Sequence, residues 1–385
     1  MKEGWKMVKL GEVCETSAGG TPSKLHKEYY ENGNIPWMLS GEVCHKYIYD
    51  VEHYITLEGL NNSSAKLFPE NTVVVAMYGA TAGQVGILKL VTSTNQAVCG
   101  ILPNDNILPE YLYYYFLYYK DLLVAQAVGN AQPNISQQKI KSVEFPFLSL
   151  EEQHRIVSIL DASFEKIDAL KKNAEENLKN AKALFQQVLA QELKPKEGWV
   201  EKRLDEIATF YNGKAHEQCI DENGKYILVN SKYISSNTMV GKRTNSQLFP
   251  LYKDDIVMVM SDVPNGKALA KCLIIPTDDT HSLNQRICVF RNSKINVKLL
   301  YYLINRNPYL LSFNNGKNQT NLRKNDILKM RLSYPTNEAE VEFVLNRLDE
   351  QINLINELIE NKEQTIRECD ALKQSILRQA FSGKL

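Results

Sequence analysis

Residues 149–193 read SLEEQHRIVSILDASFEKIDALKKNAEENLKNAKALFQQVLAQEL, a stretch with neither glycine nor proline. Apolar or small residues recur at 156, 160, 164, 167, 174, 178, 181, 185 and 188, in steps of three or four, with Lys171 in the one missing place. A period near 3.5 held this long marks a helix with a heptad seam. Ser149 with Glu152 three residues on fits a capping box. Pro146 is expected to stop the preceding strand and Pro195 to end the helix. At 1.5 Å per residue the helix spans roughly 60 Å. An apolar stripe of that length needs a partner.

A candidate partner lies in the same chain. Val341, Leu345, Leu348, Ile352, Ile355, Ile359, Ile366, Cys369, Ile376 and Ala380 follow the same steps, and Gly383 terminates them. The repetition extends outward from the helices. Lys2-Glu3-Gly4-Trp5 returns as Lys196-Glu197-Gly198-Trp199, and Ser93-Thr94-Asn95-Gln96 as Ser282-Leu283-Asn284-Gln285. Gly129-Asn130-Ala131-Gln132-Pro133-Asn134 returns as Gly316-Lys317-Asn318-Gln319-Thr320-Asn321, and Leu160-Asp161 as Leu348-Asp349. Leu184-Phe185-Gln186-Gln187-Val188-Leu189 returns as Leu372-Lys373-Gln374-Ser375-Ile376-Leu377. The order is preserved throughout, which is the mark of an internal duplication. The chain therefore reads as globule (1–148), helix (149–195), globule (196–336) and helix (337–385). Connectivity favours antiparallel intramolecular pairing about a pseudo-two-fold axis, since the second helix must run back along the first. A coiled coil between two copies of the chain is the alternative.

With 385 residues, 44% hydrophobic and 23% charged, the chain has the composition of a globular protein. No apolar run approaches the ~20 residues of a membrane helix, and no apolar h-region follows Met1. The seven cysteines are scattered, with no C-x-x-C pair, which reads as reduced thiols in a cytoplasmic protein rather than a disulfide framework or zinc site. Net charge is zero, but its distribution is uneven. Residues 1–148 carry 11 Lys and Arg against 14 Asp and Glu, while 196–336 carry 21 against 13, a net +8. The basic block is expected to meet phosphate; ordinary variation between domains is the plainer reading.

Each globule is expected to open with a helix started by its Gly-Trp pair and then to alternate short strands and turns. Residues 72–78 and 255–260 read as buried strands. Residues 109–124 form a tyrosine-rich helix mirrored by 297–303, whose rings are read as core packing rather than as a base-stacking platform. Without clean βαβ alternation, the fold class is α+β: two mixed globules joined by two long antiparallel helices.

Loops are where base reading would occur. Residues 19–24 are flexible and polar, with Thr21, Ser23 and Lys24 as candidates. A glycine hairpin carries Tyr78, Thr81 and Gln84; Asn130 and Gln132 follow Gly129. The second half offers Lys214, Asn265, Lys267, Lys317, Asn318 and Gln319, and its basic block adds Lys232, Lys242, Arg243 and Arg323. Asn and Gln suit adenine edges, and Lys or Arg suit guanine or phosphate. The same residue types also suit turn geometry alone.

Catalytic constellations are missing. The sequence has no G-x-x-x-x-G-K-[ST], G-x-G-x-x-G or H-E-x-x-H. Asn307-Pro308-Tyr309-Leu310 distantly resembles an adenine-methyltransferase motif but lacks its second proline, and Asp254-Asp255 reads as a turn.

Several motifs in this order resemble specificity subunits of type I restriction–modification systems along nearly the whole chain. They are Gly19-Gly20-Thr21-Pro22, Ile35-Pro36-Trp37, Gly129 to Ser136, Pro146 to Leu150 with Glu152-Gln153, and Gln379 to Leu385. The second half departs, with Asn212-Gly213-Lys214-Ala215 and Glu340-Val341 at the matching places. The resemblance implies two target-recognition domains on double-stranded DNA and no catalysis by this chain. It implies two modification subunits on the central helices, bringing S-adenosylmethionine, and restriction subunits bringing ATP, Mg²⁺ and cleavage. This chain itself would hold no cofactor or metal. The alternatives are a type IIB specificity subunit, a standalone DNA enzyme, or a coiled-coil assembly protein without DNA contact.

Overall fold

The computed structural model describes residues 5–125, 134–263, 266, 268–314, 316 and 318–385. These fall into two compact units, Met1–Glu176 with Lys362–Leu385, and Asn177–Asn361. The first long helix is Leu150–Glu192 and the second Glu338–Phe381. Each unit therefore holds one globule with part of both helices.

In the first unit a five-stranded sheet runs Thr16–Ala18, Val98–Ile101, Val73–Ala76, Val85–Leu88, Tyr47–Ile48. A four-stranded sheet runs Tyr54–Ile55, Ile35–Met38, Thr92–Thr94, Leu67–Phe68, with Trp37 opposite Ser93 in a parallel pair. Val73–Ala76 is buried along its whole length, as its unbroken apolar run requires. The second unit has sheets Thr209–Asn212, Ile287–Arg291, Ile256–Val259, Cys272–Ile274 and Lys242–Thr244, Tyr226–Val229, His281–Leu283. Its parallel pair sets Leu228 opposite Ser282, so both Ser-x-Asn-Gln repeats begin in the last two residues of a strand in the same topological place and run into the turn after it. Mixed sheets flanked by helices make the fold α+β.

The tyrosine-rich helix, Pro109–Ala125, is core. Tyr111, Tyr114, Tyr115 and Phe116 are buried with Ile156, Leu160 and Phe164 of the first long helix and Leu377, Ala380 and Phe381 of the second. Their hydroxyls find acceptors, as buried phenols must: Tyr111 donates to Pro146 O at 2.8 Å and Tyr115 to Glu144 O at 2.5 Å. In this unit Lys171 pairs with Asp370 at 2.6 Å and Lys373 with Asp168. Residue numbers rise on one helix as they fall on the other, so these segments are antiparallel. In the second unit Arg347 meets Glu192 at 2.7 Å. Val344 and Leu377, both on the second long helix, are fully buried one position beside the heptad seam, because that helix packs on the second globule's core at Val344 and on the first globule's core at Leu377.

Three local expectations are corrected. The Gly-Trp pairs lead into strands, Lys6–Lys9 and Val200–Arg203, before a single helical turn; residues 1–4 lie outside the described part. Pro146 does not stop a strand but lies within Glu144–Phe147, opposite Met7. That strand has one neighbour, so the missing N–H costs no ladder bond. At the helix start Ser149 Oγ accepts from Glu152 N at 3.4 Å, while the Glu152 carboxylate is held by Arg155 at 2.7 and 2.8 Å.

The Leu-Asp repeat has a physical basis. Asp161 accepts from the Tyr114 hydroxyl and the Lys46 ammonium. Asp349 accepts from Tyr302 at 3.1 Å and from Lys298. Burial, reinforced by the neighbouring carboxylate, pushes both phenols up. In each unit one carboxylate latches the long helix to its globule. Asp161→Asn and Asp349→Asn should each cost their own unit about 1 kcal/mol, since both sites are partly solvated. Thermal unfolding followed by probes in each globule would check this; equal shifts in both globules from one substitution would contradict it.

Candidate nucleic-acid interface

Backbone hydrogen bonds draw three loops together at one edge of each globule. In the first, Gly19 N donates to Val98 O at 3.0 Å, Gly20 N to Thr94 O at 2.9 Å, Met77 N to Ala97 O at 2.8 Å and Ile135 N to Met77 O at 2.9 Å. In the second, Gly213 N donates to Ile287 O at 3.0 Å, Lys214 N to Leu283 O at 3.0 Å, Met260 N to Arg286 O at 3.2 Å and Leu322 N to Met260 O at 2.8 Å. The pattern is identical, position for position. It places Gly213 where Gly19 stands and Lys214 where Gly20 stands.

Residues 19 and 20 are therefore not flexible, as the glycines had suggested. Both are buried, and a Cβ on Gly19 would lie 2.4 Å from Asn95 O, as one on Gly213 would lie 2.1 Å from Asn284 O. Glycine here permits close backbone approach rather than mobility. The Gly20 carbonyl accepts from the Trp37 indole at 3.0 Å, and Tyr30 donates to Pro22 O at 2.5 Å. In the second unit the equivalent carbonyl, Lys214 O, accepts from Nδ1 of buried His216 at 2.7 Å. Different side chains thus cap the same carbonyl.

From this rigid base the candidates project. Ser23 and Lys24 are exposed, and Thr21 donates to Gln96. Tyr78 is exposed and bridges Asn134, bringing the glycine hairpin against the third loop. Thr81 and Gln84 are half-buried in that hairpin. Asn130, Gln132, Asn265, Lys267 and Lys317 lie outside the described residues. In the second unit Lys214, Asn318, Gln319 and Arg323 are exposed, with Gln319 donating to Ser261 at 2.8 Å.

Other candidates stand apart. Lys232 is exposed on the turn of helix Ser231–Ser235. Lys242 and Arg243 lie on the edge strand of the three-stranded sheet, where Arg243 donates to Gly224 O at 2.6 Å and Lys225 O at 3.0 Å. Asp255 is a buried ion-pair partner of Arg291, and Asn307 caps helix Pro308–Leu311. Among the described residues no group of three or more His, Cys, Asp or Glu could hold a metal ion.

The sequence reading missed Gln96, Gln285 and Arg286, all exposed at the turn where the three loops meet. Their signal was present, because that turn is the repeated Ser-x-Asn-Gln. Lys271 was also missed; it stands where Gln84 does and donates to Asn237 Oδ1 at 2.7 Å. Burial, with the Arg306 charge nearby, lowers its ammonium from the usual value.

The type I restriction modification DNA specificity domain matches twice, over residues 2–180 and 196–368. The chain belongs to this specificity family. Each match contains one complete set of the three loops. Among specificity-family relatives, the type I restriction enzyme MjaIX specificity subunit of Methanocaldococcus jannaschii is 31% identical over 258 residues, 60% of this chain and 58% of that one. The EcoR124I/EcoR124II specificity subunit of Escherichia coli is 34% identical over 185 residues, 46% and 44% of the two chains. The matched region thus spans about half the length of these relatives. The fold is also that of a chain from a structure described as the basis of complex assembly and conformational transition of the type I R-M system (TM-score 0.79, 19% identity, 100% and 99% coverage). The HsdS subunit of Thermoanaerobacter tengcongensis is less similar in shape (TM-score 0.52, 16% identity, 100% and 98% coverage).

Proposed function

We propose that this chain is a non-catalytic, sequence-specific DNA-recognition subunit of a type I restriction–modification system. Residues 1–148 and 196–336 act as two target-recognition domains, and 149–195 and 337–385 as helices that set their separation. The observation that carries this reading is the duplicated loop edge: the same backbone bonds present two different sets of polar side chains. That is what a bipartite target with unlike half-sites requires, since phosphate contacts position a reader and base contacts specify. The second domain, at +8 over residues 196–336, is basic enough to hold DNA alone. The first needs help from a partner.

Modification subunits then bind the helices and supply S-adenosylmethionine and adenine methylation, while restriction subunits supply ATP-driven translocation and cleavage. No described helix is long and apolar enough to cross a membrane, and we place the assembly in the cytoplasm with its DNA. The test is an exchange of residues 196–336 for those of a relative of known target, co-expressed with the modification subunit. Methylome sequencing should show one half-site replaced and the other kept. Replacement of both half-sites, or of neither, would reject the assignment.

A further inference from the structure

The hairpin after Ile256–Val259 is longer than its counterpart in the first unit. Matching bonds fix the comparison: Gly83 N donates to Ala76 O at 2.8 Å, and Ala270 N to Val259 O at 2.9 Å. Residues 77–82 lie between those anchors in one unit and 260–269 in the other. The short hairpin closes on its own backbone, with Ala82 N donating to Gly79 O at 3.1 Å and Gly79 and Gly83 at φ of 72° and 79°. The long one closes on a carboxylate. Asp262 Oδ1 accepts from Val263 N at 2.9 Å, and Oδ2 from Ala268 N at 2.7 Å and Leu269 N at 3.0 Å. Both feet of the loop are thereby tied to one side chain. Gly266 comes so close that a Cβ there would lie 2.2 Å from Asp262 Oδ2.

The same residue joins the neighbouring loop. Ser261 and Asp262 pair antiparallel with Asn321 and Thr320, and Ser261 Oγ accepts from Gln319 at 2.8 Å. A carboxylate at a DNA-facing edge has two uses: accepting from cytosine N4 or organising the protein. Three backbone donors already occupy its oxygens and offset its charge, which favours the second. A longer loop also loses more conformational freedom when it binds, unless it is ordered beforehand.

We infer that Asp262 is a positioning residue, which holds the two feet of the hairpin of the second recognition domain, at Val263 and at Ala268 and Leu269, in their binding form and so governs affinity for one half-site without itself reading a base. This rests on the function proposed above. The test uses the full chain assembled with its modification subunit, and measures methylation across a library randomised at every position of both half-sites. Asp262→Ala should weaken recognition on the order of 10-fold or more, the worth of hydrogen bonds to a charged group. The loss should spread over all positions of the second half-site and leave the first half-site's profile and the thermal unfolding of the assembly unchanged. Asp262→Asn keeps one acceptor oxygen and should recover part of the loss. Faster amide exchange at Val263, Ala268 and Leu269 in the alanine variant is the accompanying readout. A change confined to one base pair would make Asp262 a direct reader and overturn the proposal. So would a variant indistinguishable from the parent while both half-site profiles persist. A parent assembly with no bipartite preference would instead overturn the functional reading and this proposal together.

Discussion

Asp255→Ala is expected to destabilise the second unit by about 3 kcal/mol, the low end of the cost of breaking a buried ion pair, because the Arg291 it strands is only partly buried. Asp255 is 2% exposed, and its carboxylate accepts from Arg291 Nε at 2.8 Å and Nη2 at 2.7 Å, and from Tyr252 N at 2.9 Å. The guanidinium also lies over the Tyr252 ring, 4.4 Å from its centroid, and donates to Pro250 O at 3.0 Å. Asp255 immediately precedes the buried strand Ile256–Val259, and Arg291 ends the neighbouring strand, where Ile256 faces Phe290. The pair therefore pins the register of the central strands. The double variant Asp255→Ala/Arg291→Met should lose less than Asp255→Ala alone, because no charge is left unpaired. Urea unfolding followed in the second globule checks both statements. An alanine variant within about 1 kcal/mol of the parent would refute the pinning role. The first unit offers an internal control, because Thr72 stands at the matching place and donates only to Pro69 O at 2.8 Å.

The second large effect is on target choice. Removing residues 174–180 and 360–366, one heptad from each long helix, shortens each by about 10 Å while keeping the apolar seam in phase. The ion pairs of Asp168 and Lys171 with Lys373 and Asp370 lie outside the excised segments and remain. If helix length is the ruler, the preferred spacer between half-sites should shrink by about three base pairs, at ~3.4 Å each. The half-site sequences should not change, because no recognition loop is touched. Methylation of the original site should fall to background, with activity recovered on a library of shortened spacers. Retention of the original spacer would remove the helices from that role.

Sequence periodicity exposed the helices and the duplication because both are repeated signals. A seam sustained from Ile156 to Val188 has no other economical explanation, and five collinear matches fix the order of the parts. The Leu-Asp repeat was visible too, but its purpose was not. Its lysine comes from position 46 in one unit and 298 in the other, and only folding shows that both reach the same carboxylate. Likewise glycine at 19 and 213 signals a backbone constraint without saying which. Close approach and flexibility ask for the same residue, and the carbonyls of Asn95 and Asn284 decide between them.

The candidate site divides the same way. Residue type marked Lys24, Tyr78, Asn318 and Gln319 as able to touch nucleic acid, and the fold brings their loops to the same edge of their own globule. Type alone equally marked Arg243, whose guanidinium is committed to the Gly224 and Lys225 carbonyls, and it passed over Arg286, which stands at the loop junction. The sequence by itself determined the two-fold plan, the long helices and the family, because these reside in period, order and motif. Tertiary structure decided which polar side chains are spent on the protein and which are left for a ligand. That choice depends on hydrogen bonds between residues far apart in the chain, as between Gln319 and Ser261 across two loops or Gly19 and Val98 across the sheet edge, and no local pattern records them.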